Sequence, residues 1–557
     1  MRIIILSLVF LLAFGFYLER SDWFNSSKQA VNHNVVPTEM LNYGPMGKTL
    51  KQLGLIMAIP NDNTLYTESQ KDSINLDTNI FQKKRKVGKY LYTVIPNSWK
   101  EMPSSKIIKP KDLKKGWSVI SIVIDEEDLY DEKKGIIPNY GGRGNEWERL
   151  SYFSYYENKE LKFASAAGLR LHGGYSRRFG RNFRVYFRKE YGINQFTPGI
   201  LYDSKNKPIK RLVIHFDFPQ SKPFTSCLAF DISREIGCEV PDAKPVIFYL
   251  NGESKKNYYM TVHLGRKQWS YLLGHDHFLF YQYRGNPDTE TLRVFKELEN
   301  WANNHKTPMT LKEAAKRVNI ENLTRNLISY AFCGTEDWKQ GAAILNMKSP
   351  EPKWYWVNWD MDRSFWHQSR PKEGEKRIPH WKKPVFELIL NPLNKNVRSV
   401  LCKRLLEESP EYKNYFVRSF TDILNHRLNA SYLNSRVNYY RKLAIIFWKR
   451  NRKSIKEMVQ FVKNRPSYVR EKLQEQFGLG NIFLCQVKGP DKIKYKIDSY
   501  PEKTGYKGYY FEGMDINITI ENSKGKKFSH WLVNGKKAGG GDLSYKIKSN
   551  TIIEPVF

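Results

Sequence analysis

Asp360 and Asp362 stand two residues apart in KWYWVNWDMDRSFW, residues 353–366, among four tryptophans, a tyrosine and a phenylalanine. A segment of this composition is built for burial, and carboxylates inside it need a reason. In a β-strand alternate residues share a face, so Trp354, Trp356, Asn358, Asp360 and Asp362 would point one way, with the two aspartates about 6–7 Å apart at Cα. Two like charges about 4 Å apart repel by roughly 4 kcal/mol at an effective dielectric near 20. Desolvation adds several kcal/mol per ion. A divalent cation held by the carboxylate oxygens removes both penalties. The plainer alternative is that Arg363 or another arginine pairs with one aspartate while the other faces water, and D-x-D alone does not separate the two.

A third carboxylate lies upstream, in SYAFCGTEDWKQGAAILNMKS. Asp337 falls in a loop after a helical stretch, AAILNM reads as a strand, and KSPEPK reads as the turn back into the aromatic segment. Loop carboxylate, strand, turn, strand, paired carboxylates is the order in which kinases set their catalytic-base loop and their metal-binding aspartate. Asp337 would then orient or deprotonate a hydroxyl while Asp360 or Asp362 holds magnesium on a phosphate. The bland counterpart is a solvated Glu336-Asp337 loop. Cations that would suit phosphate occur in RLHGGYSRRFGRNFRVYFRK, where Arg177, Arg178, Arg181, Arg184 and Arg188 follow a Gly-Gly turn, since guanidinium forks bind phosphate oxygens in pairs. Neither G-x-x-x-x-G-K-S/T nor G-x-G-x-x-G is present. The same arginines also suit an edge hairpin with a basic solvated face.

The elements that must position these groups are legible in outline. From residue 116, SVISIVI, GLRLHGGYS, FRVYFRKEYG, RLVIHFDF, PVIFYLNGE and NYYMTVHL read as strands, with an Asn-Gly turn between the last two. SKPFTSCLAFDISREIG reads as a helix with a serine start and a glycine stop, so the expectation is a mixed sheet with an embedded helix. Apolar residues recur at three- and four-residue spacing over about 303–334 and 383–477, which predicts helices. After FGLGN, residues 482–557 become short strands and turns. The fold class expected is α+β: a sheet-rich lobe, a helical lobe and a small C-terminal all-β module.

The 557 residues, 41% hydrophobic, can bury a large core. The formal net charge of +34 is spread along the chain, which suits an anionic surface polymer or phosphorylated ligand and argues against a nucleic-acid-binding tail. Five scattered cysteines form no C-x-x-C or Cys/His set, which points to buried small hydrophobes. Residues 1–20, MRIIILSLVFLLAFGFYLER, carry a basic start and an apolar run of signal-peptide length, so the expected location is extracytoplasmic, secreted or membrane-anchored through this segment. Residues 21–115 show no usable periodicity and are expected to be irregular.

Together, DEEDLYDEKKGI with GNEWERL, GLRLHGGYSRRFGRNFRVYFRKEYG, SREIGCEVPDAKPVIFYLNGE, EDWKQ, WYWVNWDMD and NRPSYVREKLQEQFGL resemble, in order and spacing, the spore coat protein H (CotH) kinase family, in its secreted bacterial branch. The resemblance covers residues 116–479. The β module, 480–557, is similar to small modules appended to secreted bacterial proteins. The resemblance implies a divergent protein-kinase-like two-lobed core that transfers phosphate from ATP, with Mg or Mn, to hydroxyls of a protein substrate. It makes Asp337 the catalytic aspartate, Asp360 the metal-binding aspartate and Asp362 the second acidic position. Arg177, Arg181, Arg184 and Gln340 fall to the nucleotide. Three positions depart from the family pattern. The asparagine expected after the catalytic aspartate falls in the region of Gln340 and Gly341, the phosphate-facing lysine near Arg181, and a glutamate at His263. A catalytically impaired pseudokinase acting as a surface or matrix binding protein is therefore an alternative, and a metal-dependent phosphohydrolase or nuclease a lesser one.

Overall fold

The computed structural model describes Leu113 and residues 116–188, 209–216, 224–337, 339–365, 378–387, 389–391, 395–447, 452–490, 493–523, 525 and 527–557. The expected export segment, 1–20, and the irregular region, apart from Leu113, lie outside the described residues. The described chain forms two compact units. The first holds residues up to Phe216 together with Asp242–Leu272, and the second holds the rest.

The first unit is a closed barrel of seven strands: β1 (Ser118–Ile124), β2 (Arg149–Glu157), β3 (Glu160–Leu171), β4 (Phe183–Tyr186), β5 (Arg211–Phe216), β6 (Ala243–Leu250) and β7 (Glu253–Val262). Alternation selects the faces. Ile120, Ile122, Phe153, Leu169, Leu171, Phe183, Val185, Leu212, Ile214, Phe248 and Met260 fill the interior. The residues between them, including Arg170, His172, Arg184, Arg211, His215 and His263, therefore lie on the outer face. The β6–β7 hairpin turns on Asn251 and Gly252, at φ 49° and 79°, as the Asn-Gly pair predicts. The expected mixed sheet with an embedded helix is corrected in one respect. β1 pairs in parallel with β6, Val119 opposite Ile247, and this closes the sheet on itself. The helix between β5 and β6 belongs to the second unit.

In the second unit that helix is α1 (Thr225–Ile236). It starts from Phe224 in the left-handed region (φ 68°) with no side-chain cap, so the expected serine start signal does not operate. The glycine stop does, at Gly237 (φ 94°). There follow β8 (Phe278–Gln282), α2 (Thr289–Asn304), α3 (Ile320–Cys333), β9 (Ala342–Asn346), β10 (Trp354–Val357), α4 (Val397–Glu408), α5 (Pro410–Asp422) and α6 (Arg452–Phe477). β8, β9 and β10 make a three-stranded antiparallel sheet with β9 central. Ser409 ends α4 and caps α5, and Pro410 follows at the first helical position, where its missing N–H costs nothing.

Beyond α6 the chain forms a two-sheet β module with one shared core around the fully buried Trp531, Tyr495 and Tyr510. Trp531 Nε1 donates to the Gly541 carbonyl at 2.7 Å. The module is tied to the helices through Asn425, whose Nδ2 donates to Tyr509 O and whose Oδ1 accepts from Tyr509 N. All five cysteines are buried and unbridged, as expected. Among the described residues no helix is long and apolar enough to cross a membrane.

Candidate active site

α3 sets the site. Asn319 caps its start by accepting from Asn322 N, and nearly every residue from Leu323 to Cys333 except Arg325 packs inward. The helix ends at Gly334 in the left-handed region (φ 59°), where a Cβ would sit 3.0 Å from Lys383 Cβ. The chain then runs through Glu336 and Asp337 to Gly341, whose φ is 127° and whose missing Cβ would lie 2.3 Å from Val357 O. Only glycine permits this approach of the loop to the end of β10. The loop is pinned from below. Gln340 O accepts from Tyr330 Oη (3.3 Å) and Arg398 Nη2 (3.1 Å), and Gln340 N donates to Asp337 O (3.0 Å). It is thus the Gln340 backbone that fixes the carboxylate's loop.

Asp337 therefore stands where the sequence places it, in a loop after a helix and ahead of a hairpin. Asp360 and Asp362 do not continue a strand, which corrects the alternation expected for them. β10 ends at Val357 because Asn358 N turns away to Glu239 O (2.8 Å), and Asp360 takes a left-handed backbone, φ 57°. Asp362 follows in the next turn. As a trio, Asp337, Asp360 and Asp362 do not bring three carboxylate oxygens within 4.8 Å of one another. Among the described residues the set that does is Asp422, His426 and Asp498.

Asp337 and Asp360 nonetheless act on each other. The Asp360 carboxyl is pushed up to about 6, first by burial and then by the charge of Asp337, against a smaller opposing pull from Arg363. Arg363 Nε lies 3.6 Å from Asp337 Oδ2 and is itself 44% exposed, a partner that screens but does not neutralise the pair. Three buried polar atoms on the surrounding loops have no hydrogen-bond partner among the described residues: Asn358 Nδ2, Thr335 Oγ1 and Ser364 Oγ. Asn358 is fully buried and its Oδ1 accepts from Tyr330 Oη at 2.7 Å. Two hard carboxylates short of positive charge, with the Thr335 and Ser364 hydroxyls unpartnered on the adjoining loops, fit a divalent cation bound through oxygen, to which the Asn358 amide nitrogen, a donor, adds nothing.

Sequence reasoning missed the supports. Lys383 is buried and lies 3.5 Å from Glu336, and its ammonium is pushed down to about 8 by burial, against the pull of Glu336. It also donates to Arg363 O (3.3 Å), joining the two acidic loops. Arg465 is fully buried in α6 and donates to the carbonyls of Ala331, Phe332, Trp381, Lys383 and Pro384 at 2.5–3.3 Å. One guanidinium thereby clasps the end of α3, and so the start of the Asp337 loop, to residues 381–384. No signal marks either residue among 91 lysines and arginines. Arg465 does stand in the NRPSYVR segment, next to a proline inside a helix.

The barrel arginines divide. Arg177, expected to face a nucleotide, is instead a buried brace. Its guanidinium donates to Tyr140 O and Leu171 O at 2.7 Å each, and to Gly142 O, and burial pushes it down to about 10. Arg181 is exposed and stacks 5.0 Å above the Phe216 ring. Arg184 Nη2 donates to His172 Nδ1 at 2.7 Å, while its buried Nε has no hydrogen-bond partner among the described residues. Burial and Arg184 hold His172 well below the ordinary histidine range, so it accepts as a neutral ring. His215 and His263 stand edge-on to it at 6.1 and 5.9 Å. This histidine set on the barrel exterior had no sequence signal, since its members come from β5 and from the residues just past β3 and β7.

The Asp422–His426–Asp498 set is filled by protein groups. Asp498 accepts from Arg418 Nη2 (2.6 Å), Asn517 N (2.9 Å) and Tyr510 Oη (2.8 Å). Arg418 also lies 2.9 Å from Asp422 Oδ1, and His426 Nδ1 pairs with Glu502 at 2.8 Å. It is a charge network tying α5 to the β module.

Residues 278–475 match the CotH kinase protein family. The match starts at β8 and stops two residues short of the end of α6, about a third of the 557 residues. It contains Asp337, Gln340, Asp360, Asp362, Lys383, Arg398 and Arg465, and leaves out the barrel and the β module. A search of curated proteins found no match. The CotH match and the loop–hairpin–loop geometry thus fall on the same residues.

Proposed function

We propose that the protein is an exported, metal- and ATP-dependent protein kinase of the CotH type, with a divergent kinase-like core. The observation that carries this reading is the Asp337–Asp360 pair, two carboxylates at opposite ends of one hairpin, with Asp360 raised to about 6 by burial and by its neighbour's charge. Asp360 would hold the ion, with Asp362 in the following turn as the second acidic position. A divalent ion there supplies positive charge to the phosphates. Asp337, on its pinned loop, would orient the acceptor hydroxyl and take its proton. Lys383 and Arg465 hold the loops in place.

The diversion of Arg177 and the glutamine at position 340 favour a second reading, a nucleotide-binding pseudokinase. Calorimetric titration with ATP, with and without Mn²⁺, separates the outcomes. The kinase reading expects metal-dependent binding, lost in Asp360→Asn and kept in Asp337→Ala. Binding without phosphate transfer to any acceptor supports the pseudokinase. An absence of nucleotide binding under all metal conditions overturns both.

A further inference from the structure

A cavity of about 350 Å³ opens in the second unit beside the loop that carries Asp337. Its apolar wall is aromatic: Tyr281 lies flat on Phe295 at 3.6 Å and 8°, with Trp356 next to them. Gly341, Ala342 and Ala343 leave the space open. The remaining wall is charged. Lys339 comes from the loop itself, Lys395 and Arg398 from the start of α4, and Glu299 from α2. Three cations and one carboxylate line the cavity, Arg398 with both Nη groups committed to Tyr330 Oη and Gln340 O, and the N-terminal end of α4 adds its own partial positive charge. The size is at the lower end of ligand sites, enough for a side chain or two and tight for a larger molecule.

The cavity is mechanically joined to the catalytic loop. Arg398, in its wall, is the residue that holds Gln340 O and Tyr330 Oη. Lys339 is two residues from Asp337 and Gly341 is four, so they lie within about 7 and 14 Å of it along the chain. A polypeptide whose hydroxyl sits at Asp337 would place a residue only a few positions away over this cavity. A nucleotide would meet the rings with its base and the cations with its phosphates, but about 350 Å³ is tight for both at once. An anionic side chain uses the cations, and the stem that carries it packs on the rings.

We propose that this cavity receives an anionic side chain of the protein acceptor, an aspartate, a glutamate or a phosphorylated residue, close in sequence to the hydroxyl that is modified. The proposal rests on the kinase reading for the word acceptor, and its test is a binding measurement that does not need phosphate transfer. Glu299 sets the selectivity. Its half-buried carboxylate opposes the incoming anion, so removing its charge strengthens binding.

The test uses the full chain and fluorescent Gly/Ser peptides in which one aspartate is walked along either side of a serine, with lysine and phosphoserine versions. Anisotropy is expected to show one register where aspartate binds about tenfold tighter than lysine, the worth of one charge-assisted contact. Lys395→Glu is expected to abolish that preference, Glu299→Gln to increase it, and Asp337→Ala to leave it intact. Lys395 is exposed, so its substitution does not threaten the fold. Lys507→Glu, an equal change in net charge at an exposed position on the β module, controls for the bulk +34 charge and is expected to do nothing. Equal losses in the Lys395 and Lys507 variants would overturn the proposal, as would a preference with no fixed register. So would loss of ATP binding in Lys395→Glu with ATP displacing the peptide, which would make the cavity a nucleotide site. The preference surviving in a protein that transfers no phosphate would remove the kinase reading and leave the cavity. Phosphoserine against aspartate decides which anion it prefers.

Discussion

Asp360→Asn tests the electrostatics of the site without chemistry. Asparagine tolerates the left-handed backbone at φ 57° about as well as aspartate, so the substitution removes charge without adding backbone strain. The carboxyl is raised from 3.8 to about 6, roughly two pH units, and at about 1.36 kcal/mol per unit the ionised group costs the folded protein about 3 kcal/mol at neutral pH. The sign follows from proton binding. Between 3.8 and about 6 the folded state holds the proton and the unfolded state has lost it. The favourable protonated condition is complete below 3.8 and is lost as pH rises through about 6. Asp360→Asn should therefore be more stable than the parent by about 1–3 kcal/mol near pH 7.5, the lower figure allowing for an imperfectly bonded amide. The gap should close towards pH 4, where the parent carboxyl is protonated. Denaturant unfolding of both proteins at the two pH values measures it, and Mn²⁺ at neutral pH should stabilise the parent and not the variant. A variant less stable at neutral pH, or a gap independent of pH, would refute the claim that Asp360 carries uncompensated charge.

Three further outcomes concern the frame around the site. His426 is stacked on Tyr500 at 4.4 Å and, though burial opposes it, Asp498 and Glu502 hold its pKa above 6.5. The stability this gives is complete below 6.5 and lost as pH rises through the raised value, so the penalty of His426→Gln in pH-dependent unfolding should be largest at about pH 6 and shrink upward. The groups facing it are Asp422, Asp498, Glu502, Tyr500 and Tyr506, with Arg418 and Tyr510 bonded to Asp498 behind them. In the barrel, the buried Glu148 holds both Arg170 and Arg188, so Glu148→Gln should cost about 3–5 kcal/mol in denaturant unfolding. Arg465→Met leaves five carbonyls without their donor and should cost about 3 kcal/mol or more, with loss of protease resistance around residues 381–384 as the local readout.

Local chemistry made part of this legible. Alternation placed six of the seven barrel strands and missed β2, whose RLSYFSYYE is nearly all buried and shows no polar alternation; Asn251-Gly252 placed a hairpin, and the order of Asp337, β9, β10 and Asp360 could be read directly. What alternation cannot read is an edge: β1 meets β6 across more than a hundred residues, and the bonds that close the barrel are backbone groups common to any strand. Strand logic also failed past Val357, because Asn358 finds its partner on Glu239 and the chain turns. Buried arginines escape the sequence for a related reason. Arg177 and Arg465 look like surface cations in the sequence, yet each is buried against backbone carbonyls, and a charge bonded to carbonyls leaves no acidic partner in the sequence to reveal it.

The most direct measurement is transfer of γ-labelled phosphate from ATP in the presence of Mn²⁺, to the chain itself or to an added protein, compared with Asp337→Ala. The account predicts labelling by the parent and a fall of about a hundredfold or more in the variant, the usual contribution of a positioned base. Equal labelling by both proteins, or none by the parent with any divalent metal, would contradict it.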